Sequence, residues 1–172
     1  MTTTIDADTE ARFVITRTFN AGRERMWEAW TDPAQLAAWN GPKGTTGTTM
    51  AADVRTGGLL HWRMETPEGM TMWGRAIYRE VTPPARLVYV QSFSDEGGGI
   101  ARAPFFDGRW PLEMLTEVTF EEDGAGTRVT LVWTPLNAEA DERANFIGNI
   151  PSMHGGWGGS FDRLDALLAD EA

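Results

Sequence analysis

The stretch PSMHGGWGGSFDRLDALL, residues 151–168, decides the fold. Its large apolar residues recur at the spacing of one helix face, and they are Met153, Trp157, Phe161, Leu164 and Leu168. Four glycines surround Trp157, although each costs a helix interior about 1 kcal/mol relative to alanine. We predict a helix that is continuous through Trp157 and locally irregular near Met153. Trp157 is then the central anchor of the helix, and the glycines make room for close packing around it.

The glycines leave a second interpretation open, in which they mark a helix start or a kink. The regular helix then runs only from about Gly156 onward. In a continuous helix the four glycines cost roughly 3–4 kcal/mol. Burial of the large apolar side chains offsets this cost, since each contributes roughly 1.5–3 kcal/mol.

The residues before this helix alternate between apolar and polar side chains, which is typical of half-buried strands. The predicted strands are residues 12–19, 48–55, 57–65, 70–81, 86–93, 113–122 and 127–136. Turn signals such as TPEG (66–69) and DGAG (123–126) separate neighbouring strands. Two short helices follow the first strand within residues 20–39. From Asn137, a plausible cap, the pattern is helical to the C-terminus.

This order of elements predicts an α+β domain. A sheet of hairpin-connected strands has one apolar face to bury, and only the final helix is long enough to cover it. We therefore predict a curved antiparallel sheet of about seven strands wrapped around a long C-terminal helix. Such packing readily leaves a cavity between the sheet and the helix.

Composition narrows the class of protein. The length of 172 residues suits one domain spanning residues 1–172. A net charge of −10 repels phosphate backbones and anionic lipids, so we expect neither nucleic-acid binding nor membrane binding. The chain has no apolar run long enough to span a membrane, and residues 1–8 do not look like a secretory signal. Because cysteine is absent, we expect a cytoplasmic protein.

The same counts bear on cofactors and pockets. Two histidines and no cysteine give no standard metal-ligand spacing, so we expect no metal and no cofactor. Eight tryptophans and eight methionines are unusual for a chain of this size. These large, adaptable side chains are common around apolar ligand pockets. A tryptophan-rich core is the alternative.

Five pieces of the sequence, taken in order, resemble one known family. They are FNAGRERMWEAWTDPAQLAAWNGPKG, DVRTGGLLHWRM, GRAIYREVTPPARLVYVQSFSDEGG, WPLEMLTEVTFEEDGAGTRVTL and SMHGGWGGSFDRLDALL, and they cover nearly all of the chain. The order resembles the helix-grip fold of the START and birch-pollen-allergen superfamily, abbreviated SRPBCC. More narrowly, it resembles the bacterial homologues of the activator of the heat-shock-protein-90 ATPase.

The resemblance implies a cavity without fixing a reaction. Members of the superfamily bind lipids, steroids and polyketides, and some cyclise polyketides. The eukaryotic namesake stimulates a chaperone ATPase, whereas the bacterial branch is largely without assigned function.

Inward strand faces and the last helix should line such a cavity. On the strand 57–65 the apolar phase is Leu60, Trp62 and Met64. On the next strand alternation does not decide between two phases, one with Met70, Met72 and Tyr78 and one with Trp73 and Ile77. The candidate ligand-binding residues on these elements are Trp62, Met64, Met72, Met153, Trp157 and Phe161, with plain core packing as the alternative. Core packing is favoured for Val118, Phe120, Val129 and Leu131.

Residues 94–112 form a long irregular segment of a kind that is often functional. The segment carries Ile100, Phe105, Phe106 and Trp110 beside Arg102, Asp107 and Arg109, and few solvated loops contain so many aromatic residues. One interpretation is a flap over the cavity, in which Phe106 and Trp110 contact the ligand and Arg102 or Arg109 pairs with an anionic group. The other is a dimer contact, so a monomer and a homodimer both stay open.

The sequence offers weak candidates for catalysis. His61 lies in the opposite phase from Trp62, so we expect a surface histidine. His154 is the default general base if it lies at the cavity rim, with a helix-surface histidine as the alternative. Glu113 is a candidate acid or polar anchor if it faces the cavity, with a strand-edge surface residue as the alternative. No other catalytic constellation is defensible.

Three functions follow from this reading. The leading hypothesis is a protein that binds a hydrophobic or amphipathic small molecule in the cavity. The second is a polyketide cyclase-like or hydrolase-like enzyme that uses the same cavity. The third is a module that interacts with a chaperone.

Overall fold

The computed structural model describes residues 11–169. Residues 1–10 and 170–172, the two ends of the predicted 1–172 domain, lie outside this range. The strands are β1 (Phe13–Phe19), β2 (Thr46–Ala52), β3 (Leu59–Glu65), β4 (Thr71–Thr82), β5 (Arg86–Phe93), β6 (Glu113–Asp123) and β7 (Gly126–Leu136). The helices are α1 (Arg23–Thr31), α2 (Pro33–Trp39), α3 (Ala140–Gly148) and α4 (Ile150–Ala169), and a short 3-10 turn spans Phe106–Gly108.

The strands form one seven-stranded antiparallel sheet in the order β1-β7-β6-β5-β4-β3-β2. In this order β1 and β2 are the two edge strands of the sheet. Helices α1 and α2 carry the chain from one edge to the other. Bulges in β2, between Thr49 and Ala51, and in β4, between Tyr78 and Glu80, favour a bent sheet. The predicted α+β fold, a curved seven-stranded sheet around a long C-terminal helix, is confirmed.

Helix α4 packs its apolar face into the sheet. Phe161 and Leu164 are fully buried, and the Phe161 ring meets Phe19 of β1 edge-on at 5.2 Å between centroids. Trp157 lies parallel to Trp30 of α1, with centroids 6.4 Å apart, and meets Trp133 of β7 edge-on at 5.5 Å. Trp157 therefore anchors the helix between α1 and the sheet, as predicted.

The glycines of α4 do less than the sequence suggested. The helix is continuous from Ile150 to Ala169, so the alternative start near Gly156 is wrong. A Cβ at Gly159 would lie 3.3 Å from the Lys43 side chain, so this glycine does allow a close approach. A Cβ at Gly155 or Gly158 would meet nothing within 4 Å. The prediction that the glycines make room is therefore wrong for these two positions.

The C-terminal helical region is divided in two, which the sequence analysis did not predict. α3 ends at Gly148 with Asn149 as its C-cap, because Pro151 has no N–H with which to continue the α3 hydrogen-bond ladder. The predicted irregularity near Met153 is wrong, since α4 is continuous through that residue. The predicted cap at Asn137 is also wrong, since Asn137 has a φ of 50° and lies before the helix. Glu139 caps α3 instead, in a reciprocal capping box with Glu142.

Candidate functional site

The space between the sheet and α4 is not filled by side chains. A cavity of about 280 Å³ lies there, and an adjoining space of about 250 Å³ shares most of its lining. Strands β3, β4 and β5 form the sheet wall, and the first half of α4 forms the opposite wall. The ends of α1 and α2, the ends of β6 and β7, and the 94–112 segment complete the lining.

The alternation of β3 and β4 explains the sheet wall. Leu60, Trp62 and Met64 of β3 line the cavity, as their apolar phase predicted. On β4 the structure selects the even phase, because Tyr78 lines the cavity and Met72, paired with Met64, lines the adjoining space.

Met70, which belonged to the same alternative phase, is exposed instead. Gly74 stands between Met72 and Tyr78, directly opposite Trp62. A Cβ at Gly74 would lie 2.4 Å from the indole of Trp62, so the absent side chain is what allows that ring to lie against β4.

A polar cluster stands in the sheet wall, formed by Tyr78, Tyr89 and Gln91. Tyr78 and Tyr89 are direct cross-strand partners, with ring centroids 5.7 Å apart, and Gln91 follows on the same face of β5. Burial raises the pKa of Tyr78 to about 12. Burial, with a smaller contribution from Tyr78, raises the pKa of Tyr89 further, although part of the Tyr89 surface stays open because it borders the cavity. Both phenols are therefore protonated and neutral through the physiological range.

The cavity lining carries no charge within residues 11–169. Its polar members are neutral, and besides the polar cluster they include Asn40, Asn149, Ser152 and Ser160. Ser160 accepts a hydrogen bond from the Gly41 N–H at 3.1 Å. Among residues 11–169, no three or more histidine, cysteine or acidic side chains are grouped as a metal site would require. None of the helices in that range has the length and apolar character of a membrane span.

The 94–112 segment closes one side of the cavity through Phe105 and Trp110. Trp110 is buried, and Phe105, which is partly exposed, packs against it with ring centroids 5.4 Å apart. Phe106 does not line the cavity, because its backbone turns to a φ of 54° and its ring stacks on Trp110 from the solvent side. Of the two predicted ligand contacts in this segment, Trp110 lines the cavity and Phe106 does not, while Phe105 does.

The two arginines of this segment do not point into the cavity. Arg102 forms an ion pair with Glu142 of α3, whose side chain is 7% exposed. Arg109 pairs with Asp141 at 2.7 Å. Asn145 adds a hydrogen bond from its side-chain amide to the Arg109 carbonyl at 2.6 Å. Neither arginine lines the cavity, and both bind the segment to α3.

The structure separates the remaining candidates. Trp62, Met64, Met153, Trp157 and Trp110 line the cavity, whereas Phe161 is fully buried in the packed core beyond it. Phe161 therefore does not border the cavity.

The weak catalytic candidates lie outside the cavity. His154 is exposed on the outer side of α4, with its ring against Phe13 at 4.7 Å. Glu113 alternates with the inward Met114 and does not line the cavity. His61 does face the other side of the sheet, but the expected exposure is wrong. It is 6% exposed, since residues 94–99 cover it and its ring stacks on Trp73 at 5.6 Å.

The sequence pattern named Tyr78 as a possible inward residue, but Tyr89 and Gln91, and with them the polar cluster, were missed. On RLVYVQSF (86–93) both alternating phases contain apolar residues, so the inward phase was not evident. One signal was available, because the chain contains two tyrosines, on neighbouring predicted strands.

Comparison with known proteins agrees with this geometry. A family model described as activator of Hsp90 ATPase homolog 1-like protein matches residues 20–169. The chain belongs to this family. The resemblance to the bacterial homologues of the activator is thereby confirmed. No curated protein matches the chain.

Solved structures share the architecture of this activator-homologue chain. The protein Ms6760 from Mycobacterium smegmatis is 28% identical over 94% of this chain and 92% of its own, with a TM-score of 0.75. A protein from Arthrobacter aurescens is 25% identical over 98% of this chain and 90% of its own, with a TM-score of 0.78. DynU16, a protein in the dynemicin biosynthetic locus, is 19% identical over 92% of this chain and 47% of its own, with a TM-score of 0.61. The likeness to DynU16 is one of fold.

Proposed function

We propose that this protein binds a hydrophobic or amphipathic small molecule in the cavity between the sheet and α4. The observation that carries the proposal is the unfilled space of about 280 Å³ in an interior whose other half is closely packed. Apolar cavities lined by aromatic and methionine side chains are the usual sites of small-molecule binding. Membership of the activator-homologue family is consistent with this use of the fold.

Binding is favoured over turnover by the chemistry of the lining. General acid–base catalysis uses a group whose pKa lies near the working pH. Within residues 11–169 the cavity lining contains no histidine, carboxylate or lysine, and its two phenols have raised pKa values. We therefore favour a binding protein over the cyclase-like or hydrolase-like alternative.

We also propose how many chains enclose the ligand and in which cellular compartment the protein acts. The 94–112 segment packs against its own chain through Trp110 and α3, which favours a flap over the cavity rather than a dimer contact. One chain therefore suffices to enclose a ligand. We propose a cytoplasmic site of action, since cysteine is absent from the chain.

A titration with the neutral fluorescent probe N-phenyl-1-naphthylamine tests the proposal. We expect saturable binding with an increase in probe emission. Gly156→Leu, which adds a side chain at the α4 wall, should abolish most of this binding. Gly155→Leu is the matched control, because it adds the same side chain one position away where nothing lies within 4 Å. Equal binding by the two variants, or no binding by the unmodified protein, would reject the proposal.

A further inference from the structure

We infer that the ligand of this cavity is an uncharged molecule with a carbonyl-type oxygen, held by the polar cluster of Tyr78, Tyr89 and Gln91. The inference rests on the proposed function and specifies the chemical class that the cavity selects. An apolar, predominantly aromatic skeleton would lie against Trp62, Met64 and Trp157, with its oxygen directed at the sheet wall.

The three groups of the polar cluster converge on one region of the wall. Tyr78 and Tyr89 face each other across the β4–β5 ladder, at 5.7 Å between ring centroids. Gln91 lies two residues beyond Tyr89, so its side chain leaves the same face of the sheet. The two tyrosines and the glutamine therefore border the same volume.

These groups are open to the cavity rather than used by the fold. Neither tyrosine hydroxyl nor the side-chain carboxamide of Gln91 makes a hydrogen bond with any residue between 11 and 169. The same groups are not among the fully buried polar atoms that lack a hydrogen-bond partner. Those atoms include Nε1 of Trp30 and Nε1 of Trp133. Tyr78 lines the cavity, so the small accessible surface that its unpaired hydroxyl keeps is assigned to that space.

The charge of the surroundings excludes an ionic ligand. A buried charge without a partner is costly, and the lining offers neither a cation for a carboxylate nor an anion for an amine. The two basic side chains of the 94–112 segment, Arg102 and Arg109, are paired with Glu142 and Asp141. A neutral oxygen that accepts hydrogen bonds from phenols and an amide is the ligand group that this wall satisfies.

Three matched naphthalene probes test separately how the aromatic skeleton, the ketone oxygen and an ionic charge of the ligand affect binding. 2-Acetylnaphthalene carries a ketone, 2-isopropenylnaphthalene replaces the oxygen by a methylene group of similar shape, and 2-naphthoate is an anion at neutral pH. Equilibrium dialysis of each probe against the full chain gives the dissociation constants. We expect both neutral probes to bind and 2-naphthoate to bind at least about tenfold more weakly than the ketone.

Variants of the polar cluster test which side chains donate hydrogen bonds to the ketone oxygen of the probe. Tyr89→Phe and Tyr78→Phe should each weaken binding of the ketone by about three- to tenfold, the loss of one hydrogen bond. The hydrocarbon should bind each variant within about twofold of the unmodified protein, which also shows that the cavity is intact. Gln91→Leu should likewise lower affinity for the ketone and not for the hydrocarbon.

The outcomes distinguish the two proposals. If neither neutral probe binds, the proposed function fails and the inference fails with it. If both neutral probes bind and the phenylalanine variants weaken neither, the cavity is a binding site but the polar cluster does not select the ligand. If 2-naphthoate binds as tightly as the ketone, the requirement for an uncharged ligand is overturned.

Discussion

The concave side of the sheet consists of two halves built from different side chains. In the packed half, β1 and the hairpin ends of β6 and β7 meet the second half of α4. Eight of the inward residues there are almost unexposed: Phe13, Phe19, Val118, Phe120, Val129, Leu131, Phe161 and Leu164. In the open half, β3, β4 and β5 face the first half of α4 with tryptophan, methionine and tyrosine.

The comparison shows how one sheet and one helix hold both a core and a cavity. Valine, leucine and phenylalanine at alternating positions fill the packed half because their compact side chains interlock. In the open half, Gly74 removes a side chain beneath Trp62, and long, flexible methionines border the gap without closing it. The size and shape of the side chains, rather than the strand topology, separate the two halves.

Truncation of one large side chain in each half gives the largest expected effect. Phe161→Ala should lower the free energy of unfolding by about 3–5 kcal/mol, because it leaves a cavity in a fully packed region. Met64→Ala, at the border of an existing cavity, should lower it by about 1 kcal/mol. Urea unfolding monitored by circular dichroism measures both values. Equal losses would mean that the open half is packed as tightly as the packed half.

Alkaline pH should weaken the open half, because both tyrosines of the chain lie there. Tyrosine in the unfolded chain has a pKa near 10, whereas burial raises that of Tyr78 to about 12 and that of Tyr89 further. The folded state therefore retains protons that the unfolded state loses. The stabilisation that these protons provide is complete below pH 10 and is lost as the pH rises from about 10 to 12 and beyond. Over that range each tyrosine lowers the free energy of unfolding by up to roughly 1.4 kcal/mol for every pH unit.

Near-ultraviolet absorbance of tyrosinate measures this effect directly. The native protein should show little tyrosinate at pH 10, where tyrosine in the urea-unfolded chain is half ionised. Tyr89→Phe serves as the control, since the remaining signal then belongs to Tyr78. A native titration midpoint near pH 10 would contradict the burial of the polar cluster.

The smallest effect is expected at the glycines of α4, in the helix that joins the two halves. Gly155→Ala and Gly158→Ala should each raise the free energy of unfolding by about 0.5–1 kcal/mol, since alanine favours the helix and a Cβ meets nothing there. Gly159→Ala is the matched control and should gain less, because its Cβ would press on Lys43. Thermal unfolding of the three variants gives the order, and an equal gain at all three positions would show that the contact with Lys43 is unimportant.

Much of the fold was predictable because its signals are local. Alternation in β3 and helical spacing in α4 identified Trp62, Met64, Met153 and Trp157 as inward residues, and the structure places all four on the cavity. The division between α3 and α4 was missed. Pro151 lies within an otherwise continuous helical pattern, and its missing N–H outweighs that pattern.

The errors in the site have a common cause, which is contact between distant parts of the chain. The sequence shows that Arg102 is a basic residue with aromatic residues near it. It does not show that Glu142 of α3 lies within reach of Arg102. His61 faces the convex side of the sheet as alternation requires, yet residues 94–99 fold over it. Tertiary contacts of this kind redirect side chains whose local pattern suggests solvent or ligand.

The stacked tryptophans beside the cavity have an optical consequence. The indoles of Trp30 and Trp157 lie 6.4 Å apart and within 8° of parallel, and Trp133 meets Trp157 at 5.5 Å. At such separations, light absorbed by one ring passes readily to its neighbours before emission. A molecule that quenches one of these three rings therefore darkens the others as well, so the intrinsic emission of the protein registers whether its interior is occupied.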